Sequence, residues 1–222
     1  MTERGALRYV GRLHVLTDTA RQERYGPAEL AQFAITGGAD VIQFREKCGS
    51  TRALIETCRA LARVCREAGV RLIVNDRMDV AIASDAGGVH LGREDFPLSL
   101  ARDLLGPDRV IGATAATAEA AVAAMWAGAD YLGVGPIYAT SSKVDAGAPI
   151  GLDGLREVVR AVEIPVIAVG GITAERIGEV LATGAHGVAV IVAVVLDPDP
   201  ARATQALREA IDAAVGGAVR ER

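Results

Sequence analysis

Seven positions, Asn75, Asp76, Asp95, Thr140, Ser142, Lys143 and Gly171, each follow closely on a short apolar run. Two are carboxylates on neighbouring segments, Asp76 in Val74-Asn75-Asp76 and Asp95 in His90-Leu91-Gly92-Arg93-Glu94-Asp95. Two carboxylates with few other protein ligands suit Mg2+, which keeps several waters and is usually shared with substrate phosphates. An aspartate so placed also serves as a helix N-cap, and Asp76, just before a short helical pattern, fits either role. Val169-Gly170-Gly171-Ile172-Thr173 offers paired glycines ahead of a helical pattern. Such a turn lets backbone N–H groups approach phosphate oxygens, and the helix dipole favours the anion. A tight turn needing positive φ is the structural alternative.

Gln43-Phe44-Arg45-Glu46-Lys47 ends another apolar run. Strand alternation puts Gln43, Arg45 and Lys47 on one side and Phe44 and Glu46 on the other. One face then presents an amide and two cations. The segment from Gly135 to Lys143 carries Thr140, Ser141 and Ser142 beside Lys143, a set suited to an oxyanion. A Schiff-base lysine would sit within a strand in an apolar pocket, so Lys143, on a polar loop, reads as a phosphate partner. His90 has no second histidine or cysteine at metal spacing, which disfavours zinc. No nucleophile or general base stands out. A phosphate site, a carboxylate pair and several cations suit a phosphorylated acceptor beside a diphosphate leaving group held by Mg2+.

These groups need a scaffold that brings strand ends together. Strand-like runs are expected at Leu13–Thr17, Val41–Arg45, Leu72–Asn75, Gly88–Leu91, Val110–Ala113, Tyr131–Gly135, Val166–Val169 and Gly187–Val192. Each is a near-continuous apolar or β-branched run, as expected of a parallel strand covered on both faces. Helical faces alternate with them: Leu54, Cys58, Leu61, Ala62 and Cys65; Ala118, Ala121, Val122 and Met125; Ile177, Val180 and Leu181; Ala203, Leu207, Ala210, Ile211 and Ala214. Short helices are expected between Asp76 and Asp85 and near Leu100. Gly38-Ala39-Asp40, Gly128-Ala129-Asp130 and Gly184-Ala185-His186 each close a helix before a strand, with glycine suited to the left-handed position that ends it.

Eight β-α units predict an α/β fold, a single (β/α)8 TIM barrel. One domain is expected over residues 1–222, with the barrel proper over about 10–215 and short tails. An open doubly wound sheet would place GxGxxG after the first strand, and Thr17-Asp18-Thr19-Ala20 stands there instead. Polar groups at the C-terminal ends of barrel strands converge on one mouth, and the loops after strands seven and eight commonly bind phosphate.

Composition agrees. Half the residues are hydrophobic and only 4% aromatic, so the core must be built from Val, Ile, Leu and Ala. A net charge of −4 and a pI near 5.5, without a basic stripe, argue against nucleic acid or an anionic membrane as partner. Small-molecule substrates are the expected partners, with room left for a homo-oligomer. Met1 to Tyr9 lacks the apolar stretch of a signal peptide, and Val188 to Leu196 is too short to span a bilayer. Cys58 and Cys65 lie two turns apart on a helical pattern, about 10 Å of rise and beyond disulfide reach. Free thiols, Cys48 included, fit a reducing cytoplasmic location.

Five segments, QFREK, VNDRMDVA, HLGRED, GPIYATSSK and IPVIAVGGI, together resemble in order and spacing the thiamine-phosphate synthase (thiamine-phosphate pyrophosphorylase) family. The likeness runs from Leu13 through the eighth strand. It implies a transferase in thiamine biosynthesis, joining hydroxymethylpyrimidine diphosphate to hydroxyethylthiazole phosphate and releasing diphosphate. Matched positions imply that Gln43, Phe44, Arg45, Glu46, Lys47, Asn75, Thr114 and Lys143 hold the pyrimidine diphosphate, with Arg45, Lys47 and Lys143 catalytic. They imply Mg2+ on Asp76 and Asp95, and thiazole phosphate on Thr140, Ser141, Ser142, Gly171, Ile191 and Val192. In the family the diphosphate leaves first and the thiazole nitrogen captures a pyrimidine carbocation, which needs no protein nucleophile.

Three positions depart from the family pattern. Thr114-Ala115-Ala116-Thr117 replaces a common Ser-x-His-Thr, Val192 stands where serine is usual, and Arg93 where glutamine is more common. A thiazole tautomerase on the same scaffold is the nearest rival, but the strand-five histidine linked to that activity is Ala116 here. A non-catalytic binder or a generic phosphate-binding isomerase would have no use for the carboxylate pair.

Overall fold

The computed structural model describes residues 10–21, 23–140 and 147–220. Eight strands lie in it: β1 (Leu13–Asp18), β2 (Val41–Arg45), β3 (Arg71–Asn75), β4 (Gly88–Leu91), β5 (Val110–Ala115), β6 (Tyr131–Val134), β7 (Val166–Val169) and β8 (Gly187–Val190). They pair in parallel in chain order, and β8 returns to β1 with Leu13 opposite Val188, closing the barrel. Around it run α1 (Pro27–Thr36), α2 (Thr51–Glu67), α3 (Met78–Ala83), α4 (Leu98–Leu105), α5 (Ala118–Trp126), α6 (Gly151–Ala161), α7 (Ile177–Leu181), α8 (Val192–Val195) and α9 (Pro200–Arg220).

Period-two alternation divides each strand between two cores. Leu13, Val15, Ile42, Phe44, Leu72, Val74, Ile111, Leu132 and Val188 point outward into the layer shared with the helices. Leu16, Val41, Ile73, Val110, Tyr131, Ile167 and Ala189 point inward and fill the lumen. Each fully buried aliphatic side chain contributes roughly 1.5–3 kcal/mol relative to exposure. The lumen side of the strands also carries the polar residues: His14, Asp18, Gln43, Arg45, Asn75 and His90 are all buried. Asp18, Arg45 and Asn75 stand at the C-terminal ends of their strands, whereas His14 lies deep in the lumen, level with Val41.

Helix α2 shows how the sleeve forms. The Ser50 hydroxyl caps it by accepting from the Ala53 N–H (3.3 Å), and Leu54, Cys58, Leu61, Ala62 and Cys65 bury one stripe against the barrel. All three cysteines are free, and the Ser84 hydroxyl donates to Cys58. The glycine-led stops behave as expected, with φ of 92° at Gly38, 101° at Gly128 and 94° at Gly184. The aspartates that follow have a structural task. The Asp40 carboxylate accepts the Arg12 and Leu13 N–H groups, and that of Asp130 accepts the Ile111 N–H, pinning the starts of β1 and β5.

Five strands differ from the sequence expectation by one or two residues: β3 starts one earlier, β5 runs two further and β6 stops one short, and two changes bear on the site. β1 runs one residue further, which puts Asp18 on the lumen side. β8 stops at Val190 rather than Val192, and Val192 begins α8. The reason is pairing on one side: Ala189 lies opposite Val169, the last residue of β7, so beyond it the ladder has lost its β7 partner, although β1 runs on to Asp18. β-propensity in a β-branched run yields to the loss of partners.

Candidate active site

At one side of the mouth, β3 ends in Asn75 and the chain turns sharply. Asp76 takes φ 65°, unusual for a non-glycine residue, held by its N–H donating to the His90 carbonyl (2.8 Å). Helix α3 begins only at Met78, with Arg77 in the N-cap position, so Asp76 is not its cap. Its carboxylate is bonded to the Lys47 ammonium and shares a hydrogen bond with the carboxyl of Asp95. Asp95 in turn accepts the Gly92 N–H at 2.7 Å. Partial burial pushes Asp76 up, but Lys47 and the Asp95 hydrogen bond outweigh it and hold it below the usual carboxylate range. Asp95 goes the other way, raised by burial and by the Asp76 carboxylate beside it. Two carboxyl groups crowded together in this way favour a cation between them, because its charge removes the repulsion. No cluster of three or more metal-ligating side chains exists among the described residues.

Below this corner, Arg45 forms a buried ion pair with Asp18, whose carboxylate also accepts the Ala20 N–H (3.2 Å). The cation at the end of β2 and the one in the loop after it thus enter the mouth already partnered, Arg45 by Asp18 and Lys47 by Asp76. Gln43 lies deeper on the same face, hydrogen-bonded to the Tyr131 phenol. Phe44 points outward into the helix layer, so its side chain is not brought into the mouth. Glu46 accepts the Cys48 N–H at 3.1 Å, steadying the loop after β2.

A cavity opens between these groups and the far rim, lined by His14, Gln43, His90, Thr114 and Tyr131. His90 is held at both ring nitrogens, with Nδ1 3.0 Å from the Tyr131 hydroxyl and Nε2 3.0 Å from Thr114 Oγ1. Gly112 and Gly133 make this possible. A Cβ at Gly112 would lie 2.2 Å from Tyr131 Cζ, and one at Gly133 would lie 2.8 Å from His90 Cε1. His14 places Nε2 2.7 Å from the Val10 carbonyl, so Nε2 carries the proton. Nδ1 is then a buried acceptor without a partner among the described residues. Burial lowers the His14 pKa to about 4 and raises that of Tyr131, keeping both rings neutral.

The opposite rim is made of main chain. Gly170, Gly171 and Ile172 after β7, and Ile191, Val192 and Ala193 after β8, line the same cavity with Thr140. Gly171 has φ 67°, and a Cβ there would lie 2.7 Å from Tyr138 Cβ. The N–H groups of Gly171, Ile172, Val192 and Ala193 have no main-chain acceptor among the described residues. Convergent unpaired N–H groups are anion donors. Ser141, Ser142 and Lys143 lie outside the described residues.

The structure thus brings Gln43, Arg45, Lys47, Asn75, Asp76, Asp95, Thr114, Thr140, Gly171, Ile191 and Val192 to one mouth. Sequence reasoning missed Asp18, His14 and Tyr131, and considered His90 only as a zinc ligand. A signal existed: polar residues two apart from Leu16, and Tyr131 following a glycine-led stop. Without knowing which strand face is the lumen, that signal is silent.

A parallel barrel with carboxylates, cations and N–H groups without main-chain acceptors at its C-terminal mouth defines a (β/α)8-barrel enzyme. Comparison with known proteins narrows the class. Residues 13–194 match the family model described as thiamine monophosphate synthase. The chain is 49% identical over 203 residues to a thiamine-phosphate synthase of Salinibacter ruber, covering 91% of this chain and 89% of that protein. It is 50% identical over 188 residues to one of Moorella thermoacetica, covering 85% and 90%. A solved thiamine phosphate pyrophosphorylase from Pyrococcus furiosus matches with a TM-score of 0.86 and 41% identity, over 95% of this chain and all of that one. The chain belongs to the thiamine monophosphate synthase family.

Proposed function

We propose that this chain joins a pyrimidine carrying a diphosphooxymethyl group to a thiazole carrying a phosphooxyethyl group, yielding thiamine phosphate and diphosphate. The observation that carries this reading is one mouth with two sides of different chemistry. A carboxylate pair with cations lies on one side and a rim of unpaired N–H groups on the other, with a polar cavity between. Family membership and the relatives' names support the same reaction.

Asp76 and Asp95 would hold Mg2+, with water and substrate phosphate oxygens completing its shell; their adjacency and shared hydrogen bond fit that ion. Bound there, Mg2+ would neutralise charge on the departing diphosphate. Lys47 and Arg45 add fixed positive charge on the same side, held in place by Asp76 and Asp18. Lys143 is assigned to the same diphosphate, together with Asn75 and Thr114. Phe44, near the end of β2, and Glu46, just past it, would contribute through their backbone. The pyrimidine ring would enter the cavity, where Gln43, His90 and the bare Nδ1 of His14 offer an amide, a fixed imidazole and an acceptor for a ligand N–H.

In the reaction the methylene C–O bond breaks with its electron pair going to diphosphate. The thiazole nitrogen then donates its lone pair to the methylene carbon. These residues orient the reactants and stabilise the leaving group, and no covalent protein intermediate is needed. Thiazole phosphate would bind Gly171, Ile191 and Val192 through main-chain N–H groups, with Thr140, Ser141 and Ser142 completing the site. No helix among the described residues is long and apolar enough to cross a membrane; we place the enzyme in the cytoplasm, where its three free thiols stay reduced. The test is diphosphate release by the purified protein with both substrates, with Mg2+ and then with EDTA. Release that needs both substrates and Mg2+ is expected; release from either substrate alone, or none, refutes the reading.

A further inference from the structure

We propose that Arg176 is a positioning residue for thiazole-phosphate binding, locking the loop after β6 to the loop after β7. The proposal rests on the assignment of the thiazole phosphate to the Gly171 rim. The two loops are joined by main-chain bonds, Ile137 N–H to the Val169 carbonyl (3.0 Å) and Tyr138 N–H to the Gly170 carbonyl (3.1 Å). Arg176 and Glu179, one turn apart, grip this junction from outside.

Arg176 Nη1 donates to the Gly171 carbonyl at 2.7 Å, and its guanidinium carbon lies 4.2 Å from the centre of the Tyr138 ring. The Tyr138 hydroxyl donates to Glu179 Oε1 at 2.5 Å. Burial, then Glu179, raises the phenol pKa to about 12, so it remains a donor throughout the working range. Tyr138 is therefore held by a stacked cation on its face and a carboxylate at its tip. Thr140 follows two residues later.

The consequence lies in the Gly171–Ile172 peptide. In a planar trans peptide the carbonyl and the following N–H point in opposite directions. By taking the Gly171 carbonyl, Arg176 turns the unpaired Ile172 N–H the other way, toward the cavity that Gly170, Gly171 and Ile172 line. Gly171 cannot hold this direction by itself, since positive φ is one of several conformations open to glycine. Tyr138 packs so close, its Cβ 2.7 Å from where a Gly171 Cβ would stand, that no side chain fits there and the position stays a glycine. Arg176 supplies the restraint that the glycine lacks. Its role is in direction rather than stability, because half-exposed pairs of this kind contribute little to folding.

The experiment measures KM for each substrate, kcat and melting temperature in the full-length protein with Mg2+, for Arg176→Ala, Arg176→Lys, Tyr138→Leu and Gly171→Val. Arg176→Ala is expected to raise KM for thiazole phosphate about tenfold. KM for pyrimidine diphosphate should stay within about twofold, kcat within about threefold, and melting temperature within about 4 °C. Arg176→Lys, which keeps one donor and the charge, should recover part of that loss. Tyr138→Leu leaves the guanidinium but removes its platform, and should raise the same KM about threefold. Equal changes in both KM values, or a thiazole-phosphate KM within twofold of wild type in Arg176→Ala, overturn the proposal. So does an effect of Arg176→Ala without one of Tyr138→Leu, which would make the arginine a direct charge on the phosphate. Gly171→Val separates the layers: if it raises KM where Arg176→Ala does not, the phosphate site stands and the clasp fails. If neither raises it, the site assignment itself fails.

Discussion

Folding of this barrel should weaken with acid through His14, by an amount the structure allows to be worked out. The ring is 1% exposed, its Nε2–H is bonded to the Val10 carbonyl, and burial lowers its pKa from 6.5 to about 4. The unfolded chain takes up a proton near pH 6.5, while the folded protein resists until about pH 4. Between those values the unfolded state binds more protons, so stability falls as pH falls. At 1.36 kcal/mol per unit the full window is worth about 3 kcal/mol. Other groups titrate too, so the measurement is a comparison with His14→Phe, in which their contributions largely cancel. Urea unfolding followed by far-UV circular dichroism gives the free energy for both proteins from pH 7.5 to 4.5. The stability gap between wild type and variant should move by roughly 2–3 kcal/mol against the wild type across that range. A gap that changes by less than about 1 kcal/mol would mean that the ring is hydrated or charged in the folded protein. The neutral, acceptor-bearing His14 of the cavity would then be wrong.

Asp76→Ala and Asp95→Ala should each lower Mg2+-dependent turnover by at least about 100-fold, on the scale of a lost metal site, with far-UV circular dichroism unchanged; unaltered rates in both would remove the metal assignment. Lys143→Ala should cut kcat strongly, and a change confined to melting temperature would make the lysine structural. Gly133→Ala, whose Cβ would lie 2.8 Å from His90 Cε1, should cost about 1–3 kcal/mol of stability by overpacking and also lower kcat; a stable, fully active variant would show that the His90 position is not critical. Val192→Ser should alter thiazole-phosphate KM by less than about threefold if main-chain donors dominate, and a larger gain would assign the missing side chain a role.

Much of this molecule is written in short-range pattern. Eight buried runs, the stripe of Leu54, Cys58, Leu61 and Cys65, and the helix stops at Gly38, Gly128 and Gly184 follow from side-chain periodicity and from φ values that favour glycine. The same local rule put Gln43, Arg45 and Lys47 on one strand face and Phe44 on the other. The five family segments then pointed to the chemistry, because their order along the chain is itself sequence. What pattern could not supply was partnership across the ring. Asp18 meets Arg45, Asp76 meets Lys47 and Asp95, and Tyr131 meets His90 only once eight strands are hydrogen-bonded in one register and closed. Closure alone decided which face of each strand became the lumen, and so turned His14 from an ordinary strand residue into a buried acceptor. It also ended β8 at Val190, one residue past its last partner in β7, although Ile191 and Val192 are good strand formers. Local propensity acts over a few residues and the sequence states it directly; convergence depends on strand register and ring closure, which belong to the whole chain.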